Sequence, residues 1–125
     1  GDSRWVHRPA RDAARYAART DPATDAGRIH AGLCRLIGVR AAHAAFGGGE
    51  LIGFRSKNAH VLGFIRPGAT ARVLVLANFS ETPQTVAAEV LSGMPASALD
   101  LITGTRHDLR SALTLPGCGM VWLAC

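Results

Sequence analysis

The polarity of this chain changes its period near Gly47-Gly48-Gly49. Before the glycines, Ile29, Leu33, Leu36, Ile37 and Arg40 recur at steps of three and four. That spacing puts the apolar members on one stripe of a helix. Asp21-Pro22 reads as a cap followed by a proline, with Thr24 as a competing cap. The triple glycine reads as the stop. Together these signals predict a helix over about 24–45, led in by an arginine- and alanine-rich loop or short helix.

After the glycines the period falls to two, and turn residues recur every eight to twelve positions. The predicted strands are Leu51–Arg55, His60–Arg66, Ala71–Phe79, Gln84–Leu91, Ala98–Ile102, Ala112–Leu115 and Met120–Ala124. Between them stand turn signals: Lys57-Asn58, Pro67-Gly68, Ser80–Pro83, Gly93–Pro95, Thr103-Gly104 and Pro116–Gly119. Val73–Phe79 is apolar on both faces, as a central strand of a covered sheet requires. Seven short strands with no helix between them predict an antiparallel β-sandwich. The expected fold class is mainly β with an N-terminal helical segment, divided at 1–46 and 47–125.

Composition narrows the picture. The 125 residues are 48% hydrophobic and 18% charged, which describes a globular chain of one domain or part of one. The longest purely apolar run, Val73–Ala77, is far short of the roughly 20 residues a membrane helix needs, so no membrane partner is expected. No secretory segment precedes Asp2, and Cys34, Cys118 and Cys125 show no C-x-x-C spacing. Reduced, mostly buried thiols and a cytoplasmic setting are the expectation. None of His7, His30, His43, His60 and His107 is read as paired with another histidine or a cysteine at ligand spacing. No metal and no cofactor is therefore expected.

The net charge of +5 is concentrated at the front, where residues 1–40 hold eight arginines against four aspartates. Arg8, Arg11, Arg15 and Arg19 fall at helical spacing. Clustered guanidiniums neutralise phosphates, but Tyr16 is the one interleaved aromatic and no nucleic-acid motif is present. A solvated face is the plainer reading, and no nucleic-acid partner is expected. Gly47-Gly48-Gly49 lacks the Lys-Ser/Thr of a phosphate loop and leads into a strand. Asn78-Phe79-Ser80 satisfies the N-glycosylation pattern, and Trp122 is expected in the core.

Several motifs occur in a telling order. Asp2-Ser3-Arg4-Trp5 is followed by His7-Arg8-Pro9, then by Asp21-Pro22 with Gly27-Arg28-Ile29, and by Leu36-Ile37 with Val39-Arg40. Asn78–Glu81 with Pro83–Val86, and Met120–Leu123, complete the set. In order and spacing the chain resembles the C-terminal part of amylosucrase and the related sucrose hydrolases, in the α-amylase superfamily (glycoside hydrolase family thirteen). The resemblance implies the end of a (β/α)8 barrel, its last loop and eighth helix, followed by a C-terminal β-sandwich.

The resemblance also implies a chemistry. Barrel enzymes carry their active residues on loops at the C-terminal ends of the strands. Arg4 would then line the pocket for the glucosyl ring of sucrose, paired with an acid from an early barrel loop. A guanidinium fork suits that task, since it pairs with a carboxylate while donating to a sugar hydroxyl. The implied reaction is retaining transfer of glucose from sucrose to an α-glucan or to water, with release of fructose. Its carboxylates would lie upstream, because neither Asp2 nor Asp12 matches a catalytic position. The resemblance thus implies that these 125 residues are structural and inactive alone, contain no catalytic residue, and lack the N-terminal catalytic barrel as partner. Trp5 and His7 are read as packing the loop. With its helix stripe uncovered, the fragment is expected to self-associate. The alternative is a stand-alone β-sandwich module that binds carbohydrate or an anionic partner.

Overall fold

A computed structural model describes residues 12–125, and by packing the chain divides between Gly38 and Val39. The described part of the first unit is helical. α1 (Ala13–Ala17) is capped by Asp12, whose carboxylate accepts from the amides of Ala14 and Arg15. A 3-10 turn, Ala18–Thr20, leads to α2 (Asp25–Ala42). Of the two caps the sequence offered for α2, Thr24 serves: its hydroxyl accepts from Gly27 N at 3.0 Å. Asp21 instead closes its own turn on Ala23 N. Gly27 is required there, because a Cβ would lie 1.8 Å from the carbonyl oxygen of Asp21.

The helix ends at Ala42, before the predicted stop, and the triple glycine is not its terminator. A 3-10 turn, Ala44–Phe46, intervenes. The turn is where the chain becomes buried: Ala45 and Phe46 pack with Val73, Val75 and Trp122.

The second unit is mainly antiparallel β. Eight strands follow: β1 (Ile52–Phe54), β2 (Val61–Arg66), β3 (Val73–Asn78), β4 (Gln84–Val86), β5 (Ser97–Asp100), β6 (Arg106–Asp108), β7 (Leu113–Leu115) and β8 (Met120–Ala124). Six form one sheet in the order β1-β2-β3-β8-β5-β6, and β4 pairs with β7 in a second. All pairings are antiparallel. The two sheets enclose the main core, built on Leu74, Leu76, Val86, Leu115, Val121 and Leu123. This is the predicted sandwich, with an N-terminal helical part.

Two predicted features need correction. Gln84–Leu91 is a strand only to Val86, and the chain then turns into a short helix, α3 (Ala88–Leu91), that buries Leu91. An apolar run of this length has no period to separate the two states. β6 was missed because Arg106-His107-Asp108 has no apolar member. It is an edge strand held by β5 alone.

A buried polar side chain ties the turn after β5 to the sandwich. Asp100, 1% exposed, accepts from Ile102 N (3.1 Å), Trp122 N (2.9 Å) and the Thr103 hydroxyl (2.6 Å). A buried carboxylate is tolerated only when so satisfied. Asp100→Ala would strand these donors, with an expected cost of about 2–4 kcal/mol. Asp100→Asn, which keeps the acceptor for the two amides, should cost visibly less. Urea unfolding measures both, and a loss below about 1 kcal/mol for the alanine variant would contradict the role.

Candidate functional site

The predicted substrate residue, Arg4, lies outside the described residues, as do Trp5, His7, Arg8 and Arg11. Of the arginine face, Arg15 pairs with Asp12 at 3.5 Å. Arg19 stacks over the Tyr16 ring, 3.6 Å from its centroid, and donates to the Tyr16 carbonyl. The two described members of that face thus make local, exposed contacts within their own turn.

The glycosylation-like motif is a loop anchor. Asn78 is 4% exposed and donates both amide hydrogens, to Thr82 O at 2.8 Å and Pro116 O at 2.9 Å. Its oxygen accepts from Ser80 N and the Ser80 hydroxyl. An amide with every position occupied is a structural cross-tie. Asn58 plays a similar part, donating to Gln84 Oε1 and Thr85 O.

The concave feature of interest lies on the outer face of the six-stranded sheet. Phe64, Val75 and Trp122 are direct cross-strand neighbours on β2, β3 and β8, so their side chains share that face. Phe46 packs against Trp122 with ring centroids 4.9 Å apart. With Arg40, Leu51 and Arg66 these residues line a hollow of about 260 Å³. Arg66 is held by backbone alone: its guanidinium donates to Gly48 O and, at 3.5 Å, to Phe46 O. Its Nε is buried without an acceptor among the described residues. Trp122, expected in the core, is therefore half-buried and forms a wall. The sequence carried part of this signal in the alternation of each strand, but not the fact that β8 pairs with β3.

The thiols also differ from expectation. All three are free, but Cys34 and Cys118 are exposed and Cys125 is partly buried. Surface placement follows from position: Cys34 faces outward on α2, and Cys118 sits in the turn before β8 at φ 54. His30 and Cys34, four apart on α2, come within 3.7 Å, a pairing the sequence reading passed over. Two groups are too few for a metal centre, and among the described residues no cluster of three or more His, Cys, Asp or Glu is present. Among the same residues, no helix is long and apolar enough to cross a membrane.

No family model matches the chain. Solved structures do. AmyP, solved in complex with maltose, superposes with a TM-score of 0.66 at 20% identity, over 81% of this chain and 21% of its own. The α-glucosyl transfer enzyme XgtA gives 0.60 at 19% identity, over 87% and 19%. AmyP with maltotriose gives 0.57 at 20% identity, over 72% and 19%. The likeness is one of fold, and the chain spans about a fifth of the length of these proteins.

Burial pushes the Cys125 thiol up, opposed by a backbone hydrogen bond from Leu74 and by the charge of Arg72. The thiolate is the reactive form, so Cys125 is both shielded and under-ionised. Limiting iodoacetamide at mildly alkaline pH should label Cys34 and Cys118 well before Cys125, as peptide mass mapping would reveal. Equal labelling would contradict the packing around the C-terminus.

Proposed function

We propose that these residues form the C-terminal part of a retaining α-glucosyl-transferring or α-glucosyl-hydrolysing enzyme of the amylosucrase kind, acting on sucrose. What carries this reading is the fold likeness to about a fifth of AmyP and of XgtA, one solved with maltose and the other an α-glucosyl transfer enzyme. The DSRW motif adds the sucrose assignment. In this reading the sandwich is structural, and the loop containing Arg4 contributes to a sugar pocket whose carboxylates lie on upstream barrel strands. One carboxylate attacks the anomeric carbon while the other, as acid, protonates the departing fructose oxygen. Arg4 orients the glucosyl ring by donating to a hydroxyl while paired with an acid of the barrel.

The docking partner in this reading is the catalytic barrel. Ile29, Leu33 and Ile37 are 63%, 55% and 64% exposed along α2, a stripe too apolar to remain wet in a finished protein. Covering it would make α2 the barrel's eighth helix. Freed of that cover, the stripe should drive concentration-dependent association of the 125-residue chain. Sedimentation should show this association for the wild-type chain and a monomer for the Leu33→Lys/Ile37→Lys variant. A wild-type chain that stays monomeric at high concentration would argue against an uncovered docking face.

The substrate role is tested in the longer enzyme. Arg4→Ala should lower kcat/KM on sucrose about ten- to a hundredfold, the worth of a charge-assisted hydrogen bond. Unchanged turnover would remove Arg4 from the pocket. The 125 residues alone should release no fructose, and any such release would overturn the division of labour proposed here.

A further inference from the structure

The hollow beside Trp122 has an imbalance of charge that calls for an occupant. Two guanidiniums, those of Arg40 and Arg66, line it together with aromatic walls from Phe46, Phe64 and Trp122. Elsewhere among the described residues Arg15, Arg28 and Arg110 each hold an aspartate. The Arg40 carbonyl accepts from His43 N, but its guanidinium has no hydrogen-bond or ion-pair partner among the described residues, and the Arg66 guanidinium meets only the carbonyls of Gly48 and Phe46. Positive charge at the edge of an apolar hollow is stabilised by a carboxylate, which the guanidinium fork accepts in two parallel hydrogen bonds. A cavity of about 150 Å³ takes a benzene ring, so 260 Å³ has room for an apolar body with a short acid arm.

The surroundings indicate what kind of molecule brings that group. Leu62 and Met120 oppose Ala77 from either side, one alternation beyond the Phe64–Val75–Trp122 row and on the same face of the sheet. Both are exposed, as is Leu51 at the rim. The apolar surface therefore extends well past the hollow. A small ligand would leave this margin wet, whereas a protein surface would cover it.

We infer that the hollow receives an acidic side chain, carried next to an apolar one, from a part of the parent protein outside these 125 residues. The inference rests on the docking reading above and adds a specific charged lock to it. The carboxylate pairs with Arg40 and Arg66 while its apolar neighbour fills the space against Trp122.

Phenylacetate is a suitable probe of the hollow, with phenylacetamide as its neutral counterpart. Followed at the Trp122 indole N–H resonance, assigned with Trp122→Phe, phenylacetate should bind the 125-residue chain about tenfold more tightly than the amide. Arg40→Gln, which alters an exposed side chain and spares the core, should erase the difference. No shift, or equal binding of acid and amide, overturns the charged lock while leaving the α2 stripe and its association test untouched. The second measurement uses the protein extended upstream in the same reading frame. Loss of phenylacetate binding there supports a resident acidic side chain. Undiminished binding shows the hollow to be open and overturns the proposed occupant.

Discussion

The architecture depends on one strand that is dry on both faces. Val73, Leu74, Val75 and Leu76 of β3 are all buried, and the strand is hydrogen-bonded on both sides, to β2 and to β8. Because side chains alternate across a strand, Leu74 and Leu76 enter the core shared with β4 and β7, while Val73 and Val75 enter a second cluster on the outer face. A single slip of register would exchange the two sets, sending the leucines to the outer cluster and the valines to the inner core, so that neither would fit its neighbours. The layers on either side are placed with respect to this strand.

The two cores are closed unequally. The inner one is sealed by the second sheet, by α3 through Leu91, and by Leu109. The outer one is covered over part of its area by the short turn Ala44–Phe46, which brings Ala45 over Val73 and Val75 and Phe46 against Trp122. The uncovered part is the arginine-flanked hollow. One turn thus both follows the end of α2 and sets an edge of the recess lined by Arg40, Arg66 and Trp122.

Polar chemistry in the sandwich is devoted to holding loops. Asn78 binds the β3–β4 loop to Pro116, and Asp100 binds the turn after β5 to β8. Asp108 is of another kind. Its hydrogen-bonded partner Arg110 holds its carboxyl below the ordinary value. Any stability from that exposed pair would be present above the usual carboxylate range and lost as pH falls through the lowered value.

The sequence by itself determined the stripe of α2, the change of period near the glycines, and the doubly apolar run that became β3, because each is written in neighbours within a few positions. It did not distinguish strand from helix over Ala88–Leu91, and it missed β6, which has no apolar residue and none that is fully buried. The pairing of β3 with β8 was decided only by the tertiary structure, through contacts between residues more than forty positions apart. That pairing sets Trp122 beside Val75 and Phe64, and the turn at Ala44–Phe46 then brings Arg40 and Arg66 to one recess. Local periodicity specifies which face a side chain takes; only packing between distant segments specifies what it meets there.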